Sequence, residues 1–206
     1  MTHSLHRHGT LDNLQEDYVV FAIAAQTVNA KGKAPVFGEF YKIVNKYSPV
    51  LSGDMKTGNS LAVGLEAIAA GHQDNSIVHA VYTDKNVVAQ VLNELREADL
   101  GLSIVVSGLL DHVDTCCNKA GIQRHTIEHS LGIHGNTKRL PKDQVLEIST
   151  MCGHGMVAFN LINHMADEIK AGRKTPGQAA DELAAQCHCG IVNPVRAAAL
   201  LKLMAQ

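Results

Sequence analysis

Ser76-Ile-Val-His-Ala-Val-Tyr82, followed directly by Thr83 and Asp84, is the stretch on which the reading of the fold turns. Its β-branched and aromatic residues suit a strand bounded by polar turns. Asp84 can then cap a helix, because Val87, Val88, Val91, Leu92 and Leu95 recur at helical spacing. Leu102-Ser-Ile-Val-Val-Ser107 reads as a second strand, and Asp111 opens a helix that ends near Gly121. Residues 126–133 alternate apolar and polar side chains and read as a third strand. This β-α-β-α-β order predicts an α/β fold with a small parallel sheet and right-handed crossovers. Ligands of such sheets sit beyond the carboxyl ends of the strands. That rim would be built from Thr83–Asp84, Ser107–Asp111 and His134–Arg139.

Working outward towards the N-terminus, residues 12–29 read as a helix. Asp12 or Asn13 would cap it, and Leu14, Val19, Phe21, Ile23 and Ala24 would supply its apolar face. A second helix is expected over 36–44, a loop over 52–60, and a helix over 61–70 that ends at Gly71. The loop's Gly53-Asp-Met-Lys-Thr-Gly58 lacks the glycine and lysine order of a phosphate-binding loop. The chain thus divides into an N-terminal helical segment (1–75), the βαβαβ core (76–139) and a helical third (140–206), all within one compact domain.

The last third repeats itself. At an offset of 35 residues Pro141 meets Pro176, Glu147 meets Glu182, Cys152 meets Cys187, Gly155 meets Gly190 and Val157 meets Val192. Each copy runs proline, helix, cysteine loop, helix, which predicts a duplicated helix–loop–helix unit. The loops carry Cys152-Gly-His154 and Cys187-His-Cys189. Packed about a pseudo-two-fold axis, they offer Cys152, His154, Cys187 and Cys189, a set suited to tetrahedral zinc. With Cys117 or its neighbour Cys116 in place of His154, four thiolates would be present, the usual shell of an iron–sulfur cluster.

Five cysteines, an odd number, fit metal binding or catalysis better than a disulfide framework. The N-terminus lacks the apolar core of a secretory signal, so the chain is expected in the cytoplasm, where thiols stay reduced. No apolar run approaches the ~20 residues of a membrane span. A formal charge of −2 and 4% aromatic residues exclude a nucleic-acid binder, which needs a concentrated basic face and stacking platforms. Hydrophobic residues at 46% exclude general disorder.

Two further patterns stand in the chain. His125-Thr-Ile-Glu-His129 has the spacing of some zinc peptidases, which hold it on a helix, whereas its alternation here favours a strand. Arg7-His8-Gly9 is similar to the Arg-His-Gly of phosphohistidine phosphatases, but it follows a polar start instead of an apolar strand and reads as a tail.

Together these features predict a cytoplasmic iron–sulfur protein, most simply [4Fe-4S], acting as a redox or Lewis-acid enzyme on a small anionic molecule or with a redox partner protein. A zinc protein with a Cys3His site and a metal-free α/β binding module are the alternatives. His134, Asp111 and Asp84 are the acid–base candidates. Lys138 and Arg139 would attract an anionic substrate into a pocket between the metal and the sheet rim.

Overall fold

The computed structural model describes residues 7–130 and 132–206. Its strands are β1 (Tyr18–Ile23), β2 (Leu51–Asp54), β3 (Gly58–Asn59), β4 (Ile77–Tyr82) and β5 (Ser103–Ser107). They form one sheet in the order β3-β2-β4-β1-β5, and every neighbouring pair is antiparallel. The helices are α1 (Leu11–Leu14), α2 (Ala34–Lys46), α3 (Leu65–Ala70), α4 (Lys85–Ala98), α5 (Leu110–Lys119), α6 (Asp143–Ser149), α7 (Phe159–Lys170), α8 (Pro176–Ala185) and α9 (Pro194–Met204). Among the described residues no helix is long and apolar enough to cross a membrane.

The sheet corrects the parallel arrangement. β4, α4 and β5 lie where the alternation and the apolar stripe put them, and Asp84 caps α4 by accepting from Asn86 N–H at 2.8 Å. But β1 runs between β4 and β5 and opposes both, with Tyr18 opposite Tyr82 and Val19 opposite Ser107. The two strands joined by α4 therefore share a direction without touching, as in a split β-α-β unit. The missing piece was β1, which falls inside the stretch 12–29 expected to be helical.

The cause of that misreading is burial on both faces. Val19 and Phe21 face one core cluster together with residues of α6–α9. Tyr18, Val20 and Ala22 face the other, built from α2, α4 and α5. A central strand covered on both sides has no polar face, so its sequence loses the two-residue period and matches a buried helix equally well.

Two smaller corrections follow the same logic. The expected loop over 52–60 is the β2–β3 hairpin, with Gly53 opposite Asn59. Residues 126–130, 132 and 133 contain no strand; Ile127 and Ile133 remain 50% and 47% exposed, so the alternation there has no face to bury.

Arg7 belongs to no loose tail. Its guanidinium donates to both carboxylate oxygens of Asp17, at 2.9 and 2.7 Å, and also to the Ile191 carbonyl. Arg196 on α9 reaches the same carboxylate at 2.8 Å and donates to Asn13 Oδ1 and the His8 carbonyl. The three charged side chains are almost wholly buried, which sews the N-terminal segment to the C-terminal helix. Removing the one anion strands two buried cations, a change that costs about 3–5 kcal/mol. Asp17→Asn is accordingly expected to lower the urea midpoint sharply, whereas Glu39→Gln, which breaks an exposed pair with Lys42, should leave it in place.

Candidate functional site

The two cysteine loops have the same local build. Cys152 N–H bonds the Ser149 carbonyl at 3.1 Å, and Cys187 N–H bonds Ala184 at 3.0 Å. Gly155 N–H returns to the Cys152 carbonyl at 3.0 Å, and Gly190 N–H returns to Cys187 at 2.9 Å. Gly155 and Gly190 take left-handed φ values of 67° and 70°, a conformation that glycine adopts without steric cost. Helix, tight turn and helix thus recur at the offset that aligns the sequences.

The loops meet in pairs. The Cys152 and Cys187 thiols are near enough to shift each other's titration, and both residues are buried. Cys189 Sγ lies 3.6 Å from His154 Nδ1. Both pairs join positions 35 apart, so each brings together equivalent residues of the two repeats. Backbone N–H groups of Met156 and His154 also point at the Cys152 sulfur, and that of Ile191 points at Cys187.

The thiols divide their charge accordingly. The Cys187 S–H donates to Cys152, and with the two backbone donors it outweighs burial and draws the Cys152 thiol down to about 6. Cys187 is pushed far up, first by holding that proton for Cys152 and then by burial. Burial, with the nearby charges of Cys152 and Asp54, pushes Cys189 up to about 12.

The second loop is seated on the sheet. A side-chain carbon at Gly53 would lie 2.6 Å from the Cys189 carbonyl, and one at Gly190 would lie 2.7 Å from the Ser52 carbonyl, so two backbones touch where neither residue has a side chain. Buried Asn59 donates from Nδ2 to the carbonyls of Ala185 and Cys187 at 3.1 and 2.8 Å, taking up orphan acceptors at the end of α8. Its Oδ1 accepts from Leu61 and Ala62 N–H at 3.0 Å each. Reading 52–60 as a loop hides Asn59 and Gly53, whose roles come from the β2–β3 pairing.

The other expected site residues lie elsewhere. Cys116 and Cys117 are buried in the core cluster of α2, α4 and α5, on the opposite face of the sheet, and neither joins the loops. Asp84 caps α4, and exposed Asp111 sits in the first turn of α5, in that same layer. His134, Lys138 and Arg139 are exposed, the last two in a short 3-10 turn (Thr137–Arg139). A cavity of about 400 Å³ lined by Tyr47, Asn86, Ala89, Gln90, Asn93 and Lys119 holds none of the cysteines. The expected pocket between a metal and the sheet rim is not formed by these residues, since the third strand that would carry His134 to the rim is absent.

Among the described residues no three His, Cys, Asp or Glu side chains are gathered closely enough to hold a metal ion as they stand. Compared with protein-family models, curated proteins and solved structures, the chain finds no match.

The seating of the second loop yields a contrast between equivalent glycines. Gly155→Ala meets nothing within 4 Å and should cost only the left-handed penalty of about 1–2 kcal/mol. Gly190→Ala adds the collision with Ser52 and should lower the urea midpoint by clearly more. Equal losses would mean that the second loop does not rest on β2.

Proposed function

We propose that Cys152, Cys187, Cys189 and His154 form a mononuclear tetrahedral metal site of the zinc class, which locks the two helical repeats to each other and to β2. The observation that carries this reading is the pairing. Cys152 with Cys187 and His154 with Cys189 each join equivalent positions of the two repeats, and a tetrahedral ion has room for two such pairs. Zn–S and Zn–N bonds of about 2.3 and 2.0 Å at a tetrahedral angle set sulfur and nitrogen about 3.5 Å apart. Cys189 Sγ and His154 Nδ1 stand close to that span, at 3.6 Å. Metal binding would draw the two pairs onto one ion, and the backbone donors to Cys152 and Cys187 would then steady metal-bound thiolates.

A four-thiolate iron–sulfur cluster has less support, because the two remaining cysteines stand across the sheet. With four protein ligands the site is closed, and its role is structural: it unites two small helical pairs whose separate cores are slight. Elemental analysis of freshly purified protein tests this. About one zinc per chain is expected, lost in Cys189→Ser and His154→Ala and kept in Cys117→Ser. Iron with matching sulfide would replace this reading with a cluster, and protein without metal that gains no thermal stability on adding zinc would remove it.

A further inference from the structure

We propose that β5 is a dimerisation edge, along which two copies of the chain pair antiparallel about a two-fold axis at Val105 and continue the sheet from one copy into the other. β5 ends the sheet and pairs with β1 alone. Among the described residues no backbone hydrogen bond reaches the outer side of residues 103–106. Their exposure fits an open edge. β4 is buried along its whole length, whereas Ser103 is exposed and Ile104, Val105 and Val106 are only half-buried. That half-burial persists although both helical layers reach the strand, Ile104 and Val106 packing on one core cluster and Val105 on the other.

The opposite end of the sheet is guarded. β3 is only two residues long, and Asn59 turns its side chain to Leu61 and Ala62 of the chain that leaves it. An open strand is usually blunted by a charge, a proline or a bulge. β5 has none of these. Residues 100–110 carry no charge and no proline, and the ladder to β1 runs unbroken from Ser103 to Ser107.

The occupant follows from the strand's own sequence. Ser103-Ile-Val-Val-Ser107 reads nearly the same in both directions. Turned end for end and laid beside itself, it sets Val105 opposite the partner's Val105, Ile104 opposite the partner's Val106, and Ser103 opposite the partner's Ser107. β-Branched side chains then face one another, hydroxyls face hydroxyls, and no charge meets a like charge. A two-fold interface requires this self-complementarity. Residues 125–130 of the same chain, which alternate as a strand would, are exposed throughout and so do not lie on this edge. The cysteine loops are not involved, since they rest on β2, which β4 and β1 separate from β5.

Sedimentation equilibrium of the full-length protein tests the association. A mass of twice 22.1 kDa is expected at high concentration, falling to 22.1 kDa on dilution, because a pairing of five residues is a small interface. Cysteine substitution tests the register. Directly opposed residues have Cα atoms about 5 Å apart, within reach of a disulfide, whereas residues 103 of the two copies stand about 13 Å apart along the strands. Val105→Cys should therefore give a chain-to-chain disulfide under mild oxidation, while Ser103→Cys and the wild type, whose thiols are all buried, should not. Monomer at every concentration would overturn the proposal, whether the edge stays bare or another part of the chain folds over it. A dimer in which Ser103→Cys links as readily as Val105→Cys, or in which neither links, would overturn it as well.

Discussion

Backbone meets backbone where Gly53 of β2 lies against Gly190 of the second cysteine loop, and the position of the thiol cluster depends on that contact. Neither residue tolerates a side-chain carbon there. Asn59 then ties the same loop to the β2–β3 hairpin through two carbonyl groups. Cys187 and Cys189 are thereby set on the sheet, and Cys152 and His154 reach them from the other repeat. The sheet is thus the platform on which equivalent residues of the two repeats come together.

The same platform explains why the first strand is so apolar. β1 is covered by α2, α4 and α5 on one side and by α6–α9 on the other. Each helical layer buries a face of the same strand, so the N-terminal and C-terminal parts of the chain share their cores. The Arg7–Asp17–Arg196 knot closes that arrangement at one edge, and Arg7 also reaches Ile191, the residue whose N–H points at Cys187. Burying such a knot is a poor source of stability, but losing one member is costly.

What was legible in the sequence follows from which features are local. The α4 stripe and its Asp84 cap, and the repeated proline-helix-cysteine pattern of the last third, are set by residues close together in the chain. The direction of the sheet was not legible, because it depends on β1 inserting between β4 and β5, and a strand buried on both faces carries no alternation. Nor could spacing alone separate Cys117 from the loop cysteines. Cys117 also stands 35 residues before Cys152, and only the sheet between them shows that it belongs to the other core. The placement of His134 and Lys138 at the sheet rim rested on a third strand, which is absent among the described residues of 126–133.

X-ray absorption at the metal edge of the purified protein tests the central claim most directly, because it reads the donor atoms themselves. The account predicts zinc with three sulfur neighbours at about 2.3 Å and one nitrogen at about 2.0 Å, a Cys3His shell. A shell of four sulfurs, or an iron edge with a short iron–iron distance, would contradict the pairing of His154 with Cys189 as the second half of the site.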